Sequence, residues 1–169
     1  KEAMERFGSD KPDIRFGFEL HDLSSLLKNT GFKVFSGAIE VGGSVRGINI
    51  EGGAAFSRKE IDALADFVKS YKAKGLAWLK WNENGEVSSS YAKFLTEEEN
   101  EAIKKELDAK PGDLLLIVAD KNSVVFGALG ALRRHCAKKL GLLDPKDFKF
   151  LWVTEFPLLE WSDEDNRFY

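Results

Sequence analysis

The run Leu114–Ala119, six apolar residues in a row, constrains the fold of this chain more than any other segment. Pro111-Gly112 precedes the run, and the polar pair Asn122-Ser123 follows it. A short apolar run between turn signals is typical of a buried strand, and it is far shorter than the roughly 20 residues of a membrane span. We therefore predict a central strand, around which the chain must place other strands and covering helices.

The segment after this strand has the spacing of a long amphipathic helix. Its apolar positions are separated by four, three, four and four residues, and they are Val125, Leu129, Leu132, Cys136 and Leu140. Asn122 or Ser123 is the predicted cap, and Gly141 is the predicted stop. This face should pack against the sheet.

Two further helices are predicted from capping boxes, in which a Ser or Thr is followed three residues later by Glu. The boxes are Ser57-Arg58-Lys59-Glu60 and Thr96-Glu97-Glu98-Glu99. Asp22 can cap a short helix that carries Leu23, Leu26 and Leu27.

Alternation and turn residues predict the remaining strands. Hairpins are expected across Val41-Gly42-Gly43 and across Asn84-Gly85. The predicted strands are Lys33–Ile39, Ser44–Ile50, Leu76–Trp81, Glu86–Ser90 and, last, Phe148–Phe156. This order of elements predicts an α+β fold, a mostly antiparallel sheet with helices packed on one face, as in a variant of the ferredoxin-like arrangement.

The composition is that of an ordinary soluble globular protein. The chain has 169 residues, of which 43% are hydrophobic and 31% are charged, so it can bury one core. We expect no membrane partner and a cytoplasmic location. The net charge of −3 gives no overall attraction to nucleic acid, so any such contact would be local.

The sequence contains no pattern typical of a catalytic, cofactor or metal site. His21 and His135 are the only histidines, and their spacing from Cys136 fits no zinc site. Neighbours on a helix point about 100° apart, so we interpret Cys136 as a core thiol rather than as a nucleophile activated by His135. From its residues alone, the chain is a catalytically silent module.

One dense cluster of cations stands out, formed by Arg133, Arg134, Lys138 and Lys139. Cations in the last turns of a helix complement its macrodipole, and this is one interpretation of the cluster. The other is contact with RNA phosphates. The sequence is compatible with both interpretations.

Four strings, in this order, resemble the bacterial type of aspartyl-tRNA synthetase. They are MERFGSDKPDIRFG, AFSRKEIDALADFVKSYKAKGLAWLKW, GDLLLIVADK with ALGALRRHCAKKLGL, and FLWVTEFPLLEWSDEDNRF. The resemblance spans nearly the whole chain. It implies the insertion domain of the family, which interrupts the class II catalytic domain and is shared with a tRNA-dependent amidotransferase subunit.

The resemblance also implies how the chain is divided. Residues 1–17 would be the exit from the catalytic domain, 18–147 the insertion domain, and 148–169 the return strand toward the catalytic domain. Because residues 1–17 and 162–169 would normally be buried by a larger domain, we expect them to be the least ordered parts.

The function implied by the resemblance is that of part of an aspartate–tRNA ligase. The parent enzyme would use ATP and Mg²⁺, act on L-aspartate and tRNA, and form a homodimer. The signature motifs that hold ATP and aspartate are missing from this sequence, so the chain alone is expected to be inactive, with a structural role or a contact to the tRNA acceptor end. The alternatives are the related domain of a tRNA-dependent amidotransferase subunit and a protein-interaction module.

Overall fold

The computed structural model describes residues 1–159, 161–162 and 164–169. Its helices are α1 (Glu2–Phe7), α2 (Lys33–Glu40), α3 (Arg58–Lys69), α4 (Glu97–Glu106) and α5 (Asn122–Lys139). Its strands are β1 (His21–Asp22), β2 (Ser44–Ile50), β3 (Ala77–Trp81), β4 (Val87–Ser89), β5 (Leu114–Asp120), β6 (Trp161–Ser162) and β7 (Arg167–Phe168). Across these residues, no helix has the length and apolarity needed to cross a membrane.

Strand β5 is the centre of a five-stranded antiparallel sheet with the order β1-β2-β5-β3-β4. Leu116 lies opposite Ile48 of β2 on one side and Trp78 of β3 on the other. The predicted α+β class, the antiparallel sheet and the central buried strand are therefore confirmed. The ferredoxin-like detail stays a prediction.

Helices cover both faces of the sheet, which corrects the expectation that they pack on one face. Alternate residues of β5 point to opposite faces, and both sets are apolar. Leu114, Leu116 and Val118 belong to a core with α3 and α5. Leu115 and Ile117 belong to a second core with α2 and α4. A strand with two apolar faces needs a helical layer on each.

The predicted strand Lys33–Ile39 is wrong, because these residues form helix α2. Its buried Phe35 packs in the second core, where Phe32 and Ile39 also make contact, and this spacing suits one face of a helix. Strand β2 was predicted correctly, but it pairs with β1 and β5 instead of a preceding hairpin partner.

The helix predicted after Asp22 is also wrong, because residues 24–29 form turns. The Asp22 carboxylate accepts a hydrogen bond from the Ser24 amide at 2.9 Å. The Leu23 amide donates to the Val45 carbonyl at 2.8 Å, and the Ser24 hydroxyl accepts from the Val45 amide at 3.0 Å. These bonds tie the segment to β2, so its backbone is not free to form a helix.

The two capping boxes are confirmed. Ser57 and Glu60 exchange hydrogen bonds with each other's backbone at the start of α3, and Thr96 and Glu99 do the same at the start of α4. Helix α5 differs from the prediction, because its N-cap is Lys121 and no side chain caps it. The predicted inner face of α5 is confirmed: Val125, Leu129, Leu132 and Cys136 are fully buried.

The final strand expected over Phe148–Phe156 does not form in the described residues 148–159. Most of these side chains are exposed, including Trp152 at 94% and Phe150 at 90%. A strand needs a neighbouring strand to pair with, and among the described residues none pairs with this segment. Glu160 and Asp163, which fall in the expected return strand 148–169, lie outside the described residues.

The N-terminal segment packs onto α5 through two glycines. Gly8 ends α1 in the left-handed region with φ 64°. A Cβ on Gly130 would overlap the Gly8 carbonyl oxygen, and a Cβ on Gly8 would overlap the Phe126 carbonyl oxygen. The two backbones therefore approach more closely than any residue with a side chain would permit.

The close contact between the Gly8 and Gly130 backbones predicts opposite effects for two substitutions in helix α5. Gly130→Ala should lower the free energy of unfolding by about 1–3 kcal/mol, because the new methyl group forces the backbones apart. Gly127→Ala should raise it by about 0.5–1 kcal/mol, because nothing lies within 4 Å of a Cβ there and alanine favours a helix. Denaturant unfolding monitored by circular dichroism measures both. Stabilisation by both substitutions would show that residues 1–8 do not pack on α5.

Candidate nucleic-acid interface

The four cations predicted as one cluster point in different directions from the C-terminal half of α5. Successive helical residues are turned by about 100°, so a run of neighbours cannot share one face. Arg133 is buried, with 1% of its surface exposed, while Arg134 and Lys138 are exposed. Lys139 is held by another helix.

Arg133 points into the protein and binds the N-terminal segment. Its guanidinium donates hydrogen bonds to three backbone carbonyl oxygens, those of Asp13 at 2.9 Å, Gly17 at 2.7 Å and Phe18 at 3.1 Å. The same group lies over the rings of Phe7 and Phe16, 5.0 and 4.5 Å from their centroids. We call this arrangement the Arg133 clamp.

Burial of the Arg133 charge is compensated by dipoles, rings and nearby acids. Loss of water lowers the pKa of Arg133 to about 10, and the nearby Asp13 and Glu19 carboxylates oppose this change. The guanidinium remains charged at neutral pH. Arg133 therefore has a structural role. Because its side chain is buried, it does not belong to an exposed cluster of cations, which corrects the expectation from the sequence.

Lys139 links the end of α5 to the start of α3. Its ammonium group lies 2.9 Å from the Glu60 carboxylate and 5.2 Å from the centre of the Phe56 ring. The hydrogen bond from the Ser57 backbone, followed by that from Lys139, lowers the pKa of Glu60 to about 2. Because Glu60 also completes the capping box, Lys139 is engaged within the fold.

Arg134 and Lys138 are the two cations of the cluster that remain free. They lie four residues apart, on neighbouring turns of one helix face. Neither side chain forms an ion pair with a carboxylate in the described part of the chain. These two are the members of the predicted set that can reach a phosphate.

A shallow groove of about 400 Å³ runs beside Arg134. Its walls come from residues 11–15 and from 145–150, and they carry the charged residues Lys11, Asp13, Arg15, Arg134, Asp147 and Lys149. Four cations thus face two carboxylates. The rings of Phe148 and Phe150 also line it, and they are 73% and 90% exposed.

Sequence reasoning missed the groove residues outside α5. Lys11 and Arg15 lie in a segment interpreted only as a connection, and the Asp13–Arg15 ion pair at 2.7 Å helps to shape it. The signal that was available is Phe148-Lys149-Phe150, in which a cation lies between two aromatic residues. It was interpreted as part of a strand, although cations alternating with aromatic rings are also typical of single-stranded nucleic-acid sites.

Cys136 and His135 behave as predicted. The Cys136 thiol is fully buried, and burial raises its pKa to about 12, so it is protonated and unreactive. His135 is exposed, and its ring lies 4.5 Å from that of Phe67. In the described residues, no three or more His, Cys, Asp or Glu side chains are grouped so that they could hold a metal ion.

The fold is that of a known domain family. Residues 35–129, more than half of the chain, match the GAD domain, and the chain belongs to this family. The matched segment runs from α2 through β5 into α5, so it contains most of both cores but stops before Arg133.

Proteins that are similar to nearly the whole chain have names that are more specific than the domain family. The aspartate–tRNA ligase of Ruminiclostridium cellulolyticum is 61% identical over 166 residues, which is 98% of this chain. That of Clostridium botulinum strain Hall is 60% identical over 168 residues, or 99% of the chain. The chain spans only 28% of the length of each relative. The resemblance to aspartyl-tRNA synthetases seen in the sequence is confirmed.

The Arg133 clamp predicts a sharp difference between adjacent arginines. Arg133→Ala should lower the free energy of unfolding by about 3–5 kcal/mol, because three buried carbonyl groups lose a charged donor. Arg134→Ala should change it by less than about 0.5 kcal/mol. Urea unfolding compares the two. Similar values for both variants would mean that Arg133 is not buried as described.

Proposed function

We propose that this chain is the insertion domain of an aspartate–tRNA ligase of the bacterial type. The observation that carries the proposal is about 60% identity over 98–99% of the chain to proteins with that name. The parent enzyme joins L-aspartate to tRNA with ATP and Mg²⁺, acts as a homodimer and works in the cytoplasm. The chain contributes structure to this enzyme rather than catalytic groups.

The chemistry of the ligase takes place outside this chain. The class II motifs that bind ATP and the amino acid are not found in the sequence. The described residues likewise offer no cluster of carboxylates or imidazoles suited to a divalent cation. In this proposal, ATP, Mg²⁺ and aspartate bind to other parts of the parent enzyme.

The groove beside Arg134 faces the tRNA in this proposal. Arg134 of α5, three more cations on the wall segments and two exposed phenylalanine rings line the groove, and Lys138 follows Arg134 one turn along the same helix face. This set suits a strand of nucleic acid. The groove lies outside the match to the GAD domain but within the longer similarity to the ligases. This position supports a role that is specific to the ligase rather than general to the GAD domain.

The exposed C-terminal aromatic segment faces the rest of the polypeptide in the same proposal. Trp152 and Leu158 are 94% and 95% exposed, and Phe156 is 59% exposed. A monomeric surface rarely leaves so many large apolar side chains together in water. The relatives contain more than three times the length of this chain, which is enough to cover the segment.

The tRNA contact should be weak by itself and effective in the enzyme. Phosphate contacts by a few cations give an affinity that falls with salt, with a slope of about one per phosphate in logarithmic units. Other domains of the ligase hold the same tRNA, which gives the groove a high effective concentration of its ligand. A modest local affinity is then enough to orient the acceptor end.

Charge reversal in the full-length ligase tests this proposal. The variant carrying Arg134→Glu and Lys138→Glu should raise the KM for tRNA about three- to tenfold, because two phosphate contacts become repulsive. Aspartate-dependent pyrophosphate exchange, which needs no tRNA, should be unchanged. Lys28→Glu with Lys105→Glu is the control, since both lysines are exposed and lie outside the groove.

Two results would contradict the tRNA-facing role. An unchanged KM for tRNA would show that the groove does not contact it. Loss of pyrophosphate exchange would show that these cations act on the catalytic domain instead.

A further inference from the structure

The wall of the groove that carries the two exposed rings has little to hold it in place by itself. Within residues 144–150, the Asp147 amide donates a hydrogen bond to the Asp144 carbonyl oxygen at 3.1 Å, which closes a turn. Phe148 and Phe150 are 73% and 90% exposed, so burial of their rings contributes little to the position of the segment. The place of this wall depends on a contact from elsewhere in the fold.

Arg15 supplies this contact from the opposite wall of the groove. Its Nη1 group donates a hydrogen bond to the Asp144 carbonyl oxygen at 3.0 Å, across 129 residues of chain. Among the described residues, no other hydrogen bond joins the segment 144–150 to the rest of the fold. A single guanidinium therefore ties the two walls together.

The direction of this guanidinium is fixed by Asp13. Nε of Arg15 donates to one carboxylate oxygen of Asp13 at 3.0 Å, and Nη2 donates to the other at 2.7 Å. Such a two-point pair between arginine and a carboxylate has a defined geometry. The side-chain hydrogen bonds from Arg15 are the largest cause of a lowered pKa at Asp13, so this carboxylate is charged at neutral pH.

Asp13 is in turn held by helix α5. Its backbone carbonyl oxygen accepts a hydrogen bond from Nη1 of the buried Arg133 at 2.9 Å. A continuous series of hydrogen bonds thus runs from Arg133 through Asp13 and Arg15 to Asp144. We call the part from Asp13 to Asp144 the Arg15 bracket.

We propose that Arg15 is a positioning residue for the tRNA contact, because the bracket sets the distance between the walls and the place of Phe148 and Phe150. This proposal rests on the tRNA-facing role of the groove proposed above. Arg15 acts through the wall rather than as a phosphate ligand, since the Asp13 carboxylate already compensates its charge.

Nitrogen-15 relaxation of the 169-residue chain tests the bracket without tRNA. In Arg15→Ala, the heteronuclear NOE of the Phe148 and Lys149 amides should fall toward the values of a flexible segment, because the wall loses its link to the fold. The Gly141 amide, which donates to the Lys138 carbonyl at the end of α5, should keep its value. An unchanged NOE at Phe148 and Lys149 would show that Arg15 does not hold the wall.

Kinetics of the full-length ligase test the positioning role. Arg15→Ala and Arg15→Lys should both raise the KM for tRNA about three- to tenfold, because lysine keeps the charge but lacks the planar set of donors. The kcat and aspartate-dependent pyrophosphate exchange should be unchanged. Arg58→Ala is the matched control, since Arg58 is also paired with a carboxylate, that of Asp62 at 2.9 Å, but lies outside the groove. A normal KM in Arg15→Lys would show that only the charge matters.

Two acids of the groove separate position from charge. Asp13→Asn and Asp147→Asn each remove one negative charge from the groove lining, so by charge alone both should lower the KM for tRNA. The bracket predicts opposite directions. Asp13→Asn should raise the KM about two- to fivefold, because Arg15 loses its two-point partner, whereas Asp147→Asn should lower it. A lower KM in both variants would overturn the proposal.

The failure of this proposal differs from the failure of the tRNA-facing role. If charge reversal of Arg134 and Lys138 raises the KM for tRNA but Arg15→Ala does not, the positioning role is wrong and the tRNA-facing role stands. If neither change raises the KM, the tRNA-facing role is wrong, and the positioning role is wrong with it.

Discussion

The buried guanidinium of Arg133 is the interaction on which the arrangement outside the sheet depends. It binds three backbone carbonyls of residues 13–18 and lies over two aromatic rings. An arginine at 1% exposure is tolerated only where its donors are satisfied. This single side chain therefore fixes the path of the N-terminal segment over α5, and the Gly8–Gly130 approach follows that path.

The candidate interface is a consequence of this constraint. Residues 11–15 form one wall of the groove beside Arg134, and they are held there by the Arg133 clamp and by the bond from Arg15 to the Asp144 carbonyl at 3.0 Å. The two adjacent arginines thus have separate roles. Arg133 holds one wall of the groove in place, and Arg134 lines the groove. Lys139 supports the fold through Glu60, which leaves Arg134 and Lys138 as the accessible pair.

Local signals in the sequence predicted the parts of the fold that depend on local chemistry. The two capping boxes, the Asn84-Gly85 turn and the apolar run of β5 each contain their own physical reason, and each is confirmed. The burial of Arg133 could not be predicted, because its carbonyl partners lie 115–120 residues away along the chain. Helix α2 was missed because a segment as short as Lys33–Ile39, in which four of the seven residues are apolar, fits a strand and a helix almost equally well.

Hydrogen exchange at the Leu20 amide tests the central claim, that the Arg133 clamp makes the N-terminal segment part of the folded domain. This amide donates to the Arg6 carbonyl at 2.8 Å, and Leu20 is 6% exposed. Slow exchange is predicted relative to the Gly85 amide, which lies in an exposed turn. The exchange should accelerate in Arg133→Lys, which keeps the charge but loses the planar set of donors. Exchange at Leu20 as fast as at Gly85 in the unmodified protein would contradict the account.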